Sequence, residues 1–364
     1  MQLFKSDYYK TMGLAAVRDK VMDGERLSFE DGERLFDCPE PLAVGALAHH
    51  ARTRLHGDKA FYVVNQHVNY TNVCVNGCVF CAYQREEGQS GGFVLTREDV
   101  LAQLADASLE PREIHIVGGC HPRLPLAYFE EILAAIRERY PQAVLKCFTA
   151  VEISHFASLE GITTGEVLTR LKVAGLDMLP GGGAEIFRPA IREQLCPRKA
   201  TADQWLAVHE EAHGLGLKTN CTMLFGHIES HADRVDHLIR LRESQDRGRG
   251  YTCFIPLPFL TENSKLSIDS PLTGLEELKT IAVSRLMLDN IPHIKAYWVM
   301  LGVKQAQAAL KFGADDFDGT VVEEKIGHEA GATSRQGMTR IELEEMIRGC
   351  RCTPIERDGY FNEV

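Results

Sequence analysis

The sequence predicts an α/β fold: a (β/α)8 barrel of the TIM type with an N-terminal helical extension and a short C-terminal helix and tail. Three observations point there. From about residue 61 onward, short apolar runs of strand character alternate with longer segments of helical spacing. Such alternation implies parallel strands, because parallel neighbours need crossover connections. Eight strand–helix units, or nearly so, fill about 260 residues, which suits a closed eight-stranded barrel. An open doubly wound sheet is the alternative, but no Gly-x-Gly-x-x-Gly fingerprint supports it.

In residues 1–60, LAAVRDKVMDGERLSFEDGERLF and PLAVGALAHHARTRLHG read as helices that pack on the barrel. AFYVVNQHV is the first strand and leads into a cysteine-rich loop. TREDVLAQLADASLE (96–110) has helical spacing and a cap signal at Thr96 and Asp99. EIHIVGG and VLKCFTA are the second and third strands, separated by the helix LAYFEEILAAIRERY. TTGEVLTRLKVAG is a helix stopped by Gly175. DMLPGGG, KTNCTMLFG, YTCFIPLPFL, HIKAYWVML and ADDFDGT continue the strands. TADQWLAVHEEAHGLG, HADRVDHLIRLRES, GLEELKTIAVSRLML and GVKQAQAALKFG supply the helices between them. Residues 338–364 read as a last helix and a short extended tail. No composition break marks a linker. The expected organisation is therefore one structural domain: extension 1–60, barrel 61–337, helix and tail 338–364.

Composition narrows the class. Of 364 residues, 45% are hydrophobic and 25% charged, as in a soluble globular protein. No apolar run approaches the 18 or so residues that span a bilayer, and MQLFKSDYYKTMG lacks the apolar core of a secretory signal. A cytoplasmic location is expected. A net charge of −11 disfavours a nucleic-acid footprint, which needs a basic stripe. A small anionic substrate needs only local Arg, Lys or His.

Cys74, Cys78 and Cys81 form a C-x3-C-x2-C run, and residues 82–110 contain no cysteine. Closely spaced thiolates hold iron–sulfur clusters. Three ligands on a [4Fe–4S] cubane leave one iron open, and an open metal position marks catalysis by analogy with zinc. A zinc knuckle would want a fourth ligand, for which His67 is the nearest candidate upstream, and a ferredoxin would normally supply four cysteines. Eleven cysteines is an odd number and too sparse for a disulfide scaffold. Cys38, Cys147, Cys196, Cys221 and Cys253 sit in apolar or strand contexts and read as small buried hydrophobes. Cys350 and Cys352 form a C-x-C pair without nearby partners and read as free thiols.

Barrel active sites lie at the C-terminal ends of strands. Gly118 and Gly119 follow the second strand and permit close backbone approach, or simply a tight turn. Glu152 after the third strand and Glu185 after the fourth suit ribose or substrate hydroxyls, and Arg188 suits a carboxylate through a paired hydrogen bond. His121 and His227 are the candidate catalytic side chains; His227 reads equally well as a capping or core histidine.

The segment VNYTNVCVNGCVFCAYQREEG, with Phe80 directly before the last cysteine, resembles the cluster loop of the radical S-adenosylmethionine (SAM) superfamily. That resemblance implies a [4Fe–4S] cluster on the three cysteines, with SAM on the open iron and cleaved to methionine and a 5′-deoxyadenosyl radical. It also places Ala82 and Tyr83 near the adenine and Gly118–Gly119 near the SAM amino group. Residues 61–82, VGGCHPRLP, KCFTAVEISHFA, GGGAEIF and KIGHEAGA together resemble the aminodeoxyfutalosine synthase family of menaquinone biosynthesis. Tyr70, Gln66 and Cys120 depart from that pattern, where proline, arginine and leucine are expected. The resemblance implies addition of the radical to 3-[(1-carboxyvinyl)oxy]benzoate, rearrangement, and loss of CO2 or bicarbonate. An electron donor such as flavodoxin or ferredoxin is implied as partner. His121, Arg123, His155, Arg188 and His227 are the candidates for the substrate carboxylates. The runner-up is a hydrogen-abstracting relative, a dehypoxanthine futalosine cyclase or a deazaflavin (coenzyme F420) precursor synthase.

Overall fold

The computed structural model describes residues 6–105, 110–268 and 270–364. Strand β1 (Lys59–Val63) and β2 (Asn65–Val68) form one run of chain interrupted at Val64. They are followed by β3 (Glu113–Ile116), β4 (Val144–Cys147), β5 (Met178–Leu179), β6 (Lys218–Phe225), β7 (Tyr251–Pro258), β8 (His293–Ile294), β9 (Asp316–Gly319) and β10 (Thr353–Arg357). β2 to β8 make a curled parallel sheet in sequence order, while β9 and β10 flank β1, also in parallel. Isolated bridges connect the two sheets. Lys295, just past β8, bridges Asp316 of β9, and Val322 beyond β9 bridges Gln66 of β2. The Ala296 N–H donates to the Asp316 carbonyl at 2.7 Å, and the His67 N–H to the Val322 carbonyl at 3.0 Å. The curl thus closes through β9 into the expected eight-stranded barrel.

Helices surround the strands because the strands are buried on both faces and need apolar cover. The helix after the cysteine loop, Arg97–Ala105, begins with the expected reciprocal cap. The Thr96 N–H donates to Asp99 at 2.8 Å, and the Asp99 N–H returns to the Thr96 hydroxyl at 3.1 Å. Its predicted continuation over residues 106–109 lies outside the described residues. Gly175 ends Thr164–Ala174 in the left-handed conformation, φ 119°. The N-terminal helix Pro41–His56 packs on Gly274–Met287, and Phe29–Asp37 packs on His231–Gly248. One buried apolar cluster runs from Tyr9 and Leu35 through the barrel wall to Leu343 and Ile347. No described helix is long and apolar enough to cross a membrane.

Several segments differ from expectation. Two helices, Ala150–Glu160 and Pro189–Leu195, stand where the sequence pattern gave no helix. HIKAYWVML yields only a two-residue strand, and Trp298–Leu301 turns helical. The buried Trp298 ring donates its Nε1–H to the Gly319 carbonyl at 2.9 Å, which pulls this segment across the barrel end. The tail is a paired strand, with Lys59 opposite Thr353 and Val63 opposite Arg357.

That pairing carries Arg357 beneath the barrel. Its guanidinium lies 2.5 Å from Asp316, 3.8 Å from Glu113 and 3.9 Å from the centre of the Phe361 ring. Arg357→Leu leaves two buried carboxylates short of a partner. It is expected to cost about 3–5 kcal/mol in chemical denaturation; an unchanged midpoint would refute the role of the pair.

Candidate active site

The cysteine loop is fixed by backbone bonds and by its own side chains, Asn76 donating to Cys120 Sγ at 3.3 Å and Gln84 to the Cys74 carbonyl at 3.1 Å. Val75 donates to the Cys120 carbonyl at 3.0 Å, Cys74 to Arg85 at 3.0 Å, Arg85 to Asn72 at 2.9 Å, and Val79 to Leu195 at 3.0 Å. Gly119 donates to the Thr71 carbonyl at 2.9 Å, joining the end of β3 to the start of the loop. Neither Gly118 nor Gly119 has a positive φ; close approach is what requires them. A Cβ at Gly119 would sit 2.3 Å from the Val73 carbonyl oxygen, and one at Gly118 would sit 2.7 Å from the Tyr70 ring.

Cys74, Cys78, Cys81, Ala82, Tyr83, Gly118, Gly119, Glu152 and Glu185 all line one cavity of about 340 Å³. Of the predicted residues, these nine come together. Arg188 does not join them. It is the residue before the helix Pro189–Leu195, with its side chain 60% exposed and 3.4 Å from Asp233. His121 and His227 also lie outside the cavity lining. His121 Nδ1 accepts from the Arg123 N–H at 3.1 Å, and its backbone carbonyl meets His155 Nε2 at 2.8 Å. Arg123 is exposed and pairs with Glu87 at 2.5 Å. His227 is buried between Glu229, 2.8 Å from Nδ1, and the Leu224 carbonyl, 3.0 Å from Nε2. None of the five side chains expected at the substrate carboxylates reaches the cavity.

Lysines are there instead. Lys146, Lys199 and Lys295 line the cavity, each beside a carboxylate. Lys146 lies 2.6 Å from Glu113, Lys199 lies 2.6 Å from Glu185, and Lys295 pairs with Asp318. The available signal was a charged residue inside an apolar parallel strand, as in VLKCF, since lysine is almost never fully buried unless paired. Burial opposes charge on both Lys199 and Glu185. Attraction to Cys78 and then to Glu185 outweighs it on the lysine and raises it, while Lys199 holds the Glu185 carboxyl below the ordinary range.

Glu152 is occupied by protein. Its carboxylate accepts from the Tyr70 hydroxyl at 2.9 Å, the Gly118 N–H at 3.1 Å, and the Thr149 N–H and hydroxyl at 2.8 and 2.7 Å. Burial nevertheless raises it to about 7 against those bonds. It therefore ties β2, β3 and the helix after β4 together. The Tyr70 hydroxyl also lies 3.1 Å from the Gly119 carbonyl, so its one proton is shared between that oxygen and Glu152, a contact the proline expected at that position lacks the hydroxyl to make.

The donor set fits an iron–sulfur cluster. Two thiolates on one zinc stand at most about 4.6 Å apart, twice a bond of about 2.3 Å. Among the described residues, the group with all ligand atoms within 4.8 Å of one another is His56, His293 and Asp315, not the cysteines. That histidine group is structural, because the Arg285 guanidinium already neutralises Asp315 at 2.5 Å. Burial pushes the Cys78 thiol up to about 12 and also raises Cys81, so ligation must displace protons there. Hydrogen bonding to the Cys120 side chain draws Cys74 down to about 6. The Tyr83 hydroxyl is buried without a partner, as expected where a bound molecule completes the site.

Two outcomes follow from this geometry. Gly119→Ala forces the loop away from β3, at a cost of about 1–3 kcal/mol for overpacking. Iron retained after anaerobic reconstitution should fall with it; full iron content would contradict the close-approach argument. His328, hydrogen-bonded to Glu324 at the cavity rim, is raised to about 9, chiefly by that bond. A raised histidine contributes stability that is complete below pH 6.5 and lost as pH climbs through about 9. The difference in melting temperature between the native chain and His328→Gln should shrink across that window.

Known proteins resemble this chain in sequence and fold. Residues 68–241 match the Radical SAM superfamily and residues 248–362 match the CofH/MqnC C-terminal region. The chain is 42% identical to an aminodeoxyfutalosine synthase of Thermus thermophilus over 357 residues, covering 96% of each chain. It is 35% identical to a cyclic dehypoxanthine futalosine synthase of Streptomyces coelicolor, covering 96% of this chain and 89% of that one. The crystal structure of methylornithine synthase shares the fold, with a TM-score of 0.75 at 16% identity over 92% of this chain and 96% of that one. Radical SAM enzymes use a [4Fe–4S] cluster and SAM. The chain belongs to the radical SAM superfamily, in the branch with the CofH/MqnC C-terminal region that includes the aminodeoxyfutalosine synthases.

Proposed function

We propose that this enzyme joins the 5′-deoxyadenosyl group of SAM to the enol-ether double bond of 3-[(1-carboxyvinyl)oxy]benzoate. Rearrangement and loss of one carboxyl carbon as CO2 or bicarbonate then give 6-amino-6-deoxyfutalosine for menaquinone synthesis. The observation that carries this reading is a cavity lined both by the cysteine triad and by an apolar wall of Leu224, Ile255, Leu257, Phe259 and Met300. That wall suits an aromatic ring. Likeness along nearly the whole chain to aminodeoxyfutalosine synthases supports the choice within the branch.

Cys74, Cys78 and Cys81 hold the cluster in this reading. Bound there, the cluster and SAM together supply the adenosyl radical. Ala82 and Tyr83 border the adenine, with the unpartnered Tyr83 hydroxyl available to it, and the backbone of Gly118–Gly119 borders the SAM amino group. Glu185, already anchored by Lys199, offers its remaining lone pairs to the ribose. Glu152 positions the glycine strand and does not itself bind ribose. The apolar wall excludes water and so limits quenching of the radical. The enzyme works in the cytoplasm and takes its electron from a flavodoxin or ferredoxin.

The test is anaerobic reconstitution with iron and sulfide, then turnover with SAM and the enolpyruvyl benzoate under strong reductant. The expected product mass retains the adenosyl group. Free 5′-deoxyadenosine formed in step with a cyclised product from dehypoxanthine futalosine would favour the hydrogen-abstracting alternative instead, the activity that the relative from Streptomyces coelicolor is named for. Cys78→Ala should lose both cluster absorbance and product; turnover surviving in that variant would overturn the cluster assignment.

A further inference from the structure

His67 on β2 and His115 on β3 are register partners, and their rings stack at 4.5 Å between centroids, 14° from parallel. Both line the cavity. Among the described residues neither imidazole has a hydrogen-bond partner, although His67 is only 8% exposed. Their ring nitrogens are not sealed in the core but open onto the cavity, where an acceptor on a bound molecule can pair with them. His115 lies three residues before Gly118, so the pair sits about 10 Å below the glycine loop at about 3.3 Å per residue. The register continues from His115 to Lys146 on β4. The Lys146 ammonium gives one bond to Glu113 and keeps donors to spare. Tyr297, also on the cavity wall, has no hydrogen-bond partner for its hydroxyl among the described residues.

We infer that His67 and His115, with Lys146 beside them, form the receptor for the ring carboxylate of the substrate. The inference rests on the function proposed above and adds to it the means of choosing a carboxylated aromatic. The reacting double bond must approach SAM at the top of the cavity, near Gly118–Gly119. The carboxylate at the far side of the ring then points down to the stacked pair. Burial lowers both imidazoles, against the pull of Glu324 and Asp318 on His67 and with the push of His67 and Lys146 on His115. Each ring is therefore neutral near pH 7 and offers one N–H donor to the carboxylate. Lys295 is committed to Asp318, whereas Lys146 adds its spare donors to those of the two neutral imidazoles.

The experiment compares two ligands on the reconstituted, SAM-loaded enzyme: 3-[(1-carboxyvinyl)oxy]benzoate and 2-phenoxyacrylate, the same enol ether without the ring carboxylate. The native chain should bind the former about 10- to 100-fold more tightly, as charge-assisted bonds predict. In His67→Phe and His115→Phe, which keep an aromatic stack, that preference should drop toward unity while binding of 2-phenoxyacrylate holds. His115→Gln, which restores an N–H donor, should recover part of it and covers the case of a phenylalanine variant that fails to load its cluster. A preference retained in the variants, or absent from the native chain, overturns the inference. If instead the native enzyme forms no adenosylated product from either ligand, the proposed reaction itself fails, and the two failures are told apart by product mass.

Discussion

Barrel closure depends on buried charge. β8 contributes only two residues, and its junction with β9 has a single backbone bridge, so the ladder there is short. Side chains complete it. Lys295 reaches Asp318 and lies 3.8 Å from Asp316, Arg357 holds Asp316 from below, and Glu113 stands between Lys146 at 2.6 Å and Arg357 at 3.8 Å. Three cations balance three carboxylates, and all six side chains are buried. Desolvating so many charges makes the network a weak source of net stability, yet removal of any member strands its partner. Its value is therefore registry. It pins β3, β4, β9 and β10 and the end of β8 to one another, and so sets the height from which the loops above them start.

The upper layer is built on closeness of backbone rather than charge. Val73 and Cys74 press against Gly119 where no Cβ fits, and Tyr70 holds the glycine strand by reaching both the Gly119 carbonyl and Glu152. Such contacts leave little slack. A cluster held by three thiolates needs ligands whose positions are set before it arrives, since ordering a loose loop on binding costs conformational entropy. The tyrosine that departs from the expected proline adds hydrogen bonds where proline would have supplied backbone stiffness.

Much of this was legible in the residues, and the failures have physical reasons. Strand–helix alternation gave the barrel, Thr96–Asp99 and Gly175 marked helix ends correctly, and the cysteine spacing picked out side chains that the fold gathers on one cavity. The rule that residues after a strand face the active site was too coarse. Glu152 is the third residue of a helix whose cap is Thr149, and there a carboxylate folds back onto the strand ends. Arg188 also begins a helix, but from the cap position its side chain leaves toward Asp233 on the outside. Spacing from a strand cannot separate these cases without the helix start. The buried lysines were missed for another reason. Lys146 and Lys295 look incidental in short apolar runs, because their partners Glu113 and Asp318 lie 33 and 23 residues away.

These two layers explain why the cavity holds cations yet leaves neutral groups for recognition. A lysine waiting unpaired inside the barrel would face a desolvation penalty of several kcal/mol in the absence of substrate. The fold avoids that penalty by pairing every lysine that lines the cavity with a carboxylate. Among the described residues, what the cavity wall leaves without a protein partner are groups that are less costly to leave so: the imidazoles of His67 and His115 and the hydroxyls of Tyr83 and Tyr297. Neutral donors gain strength against an anion in a low-dielectric site, whereas they bind a neutral ring edge no better than water does. In the reaction proposed above, the choice of a carboxylated aromatic then depends on that same charge network, which fixes β3 and β4 beside the stacked histidines.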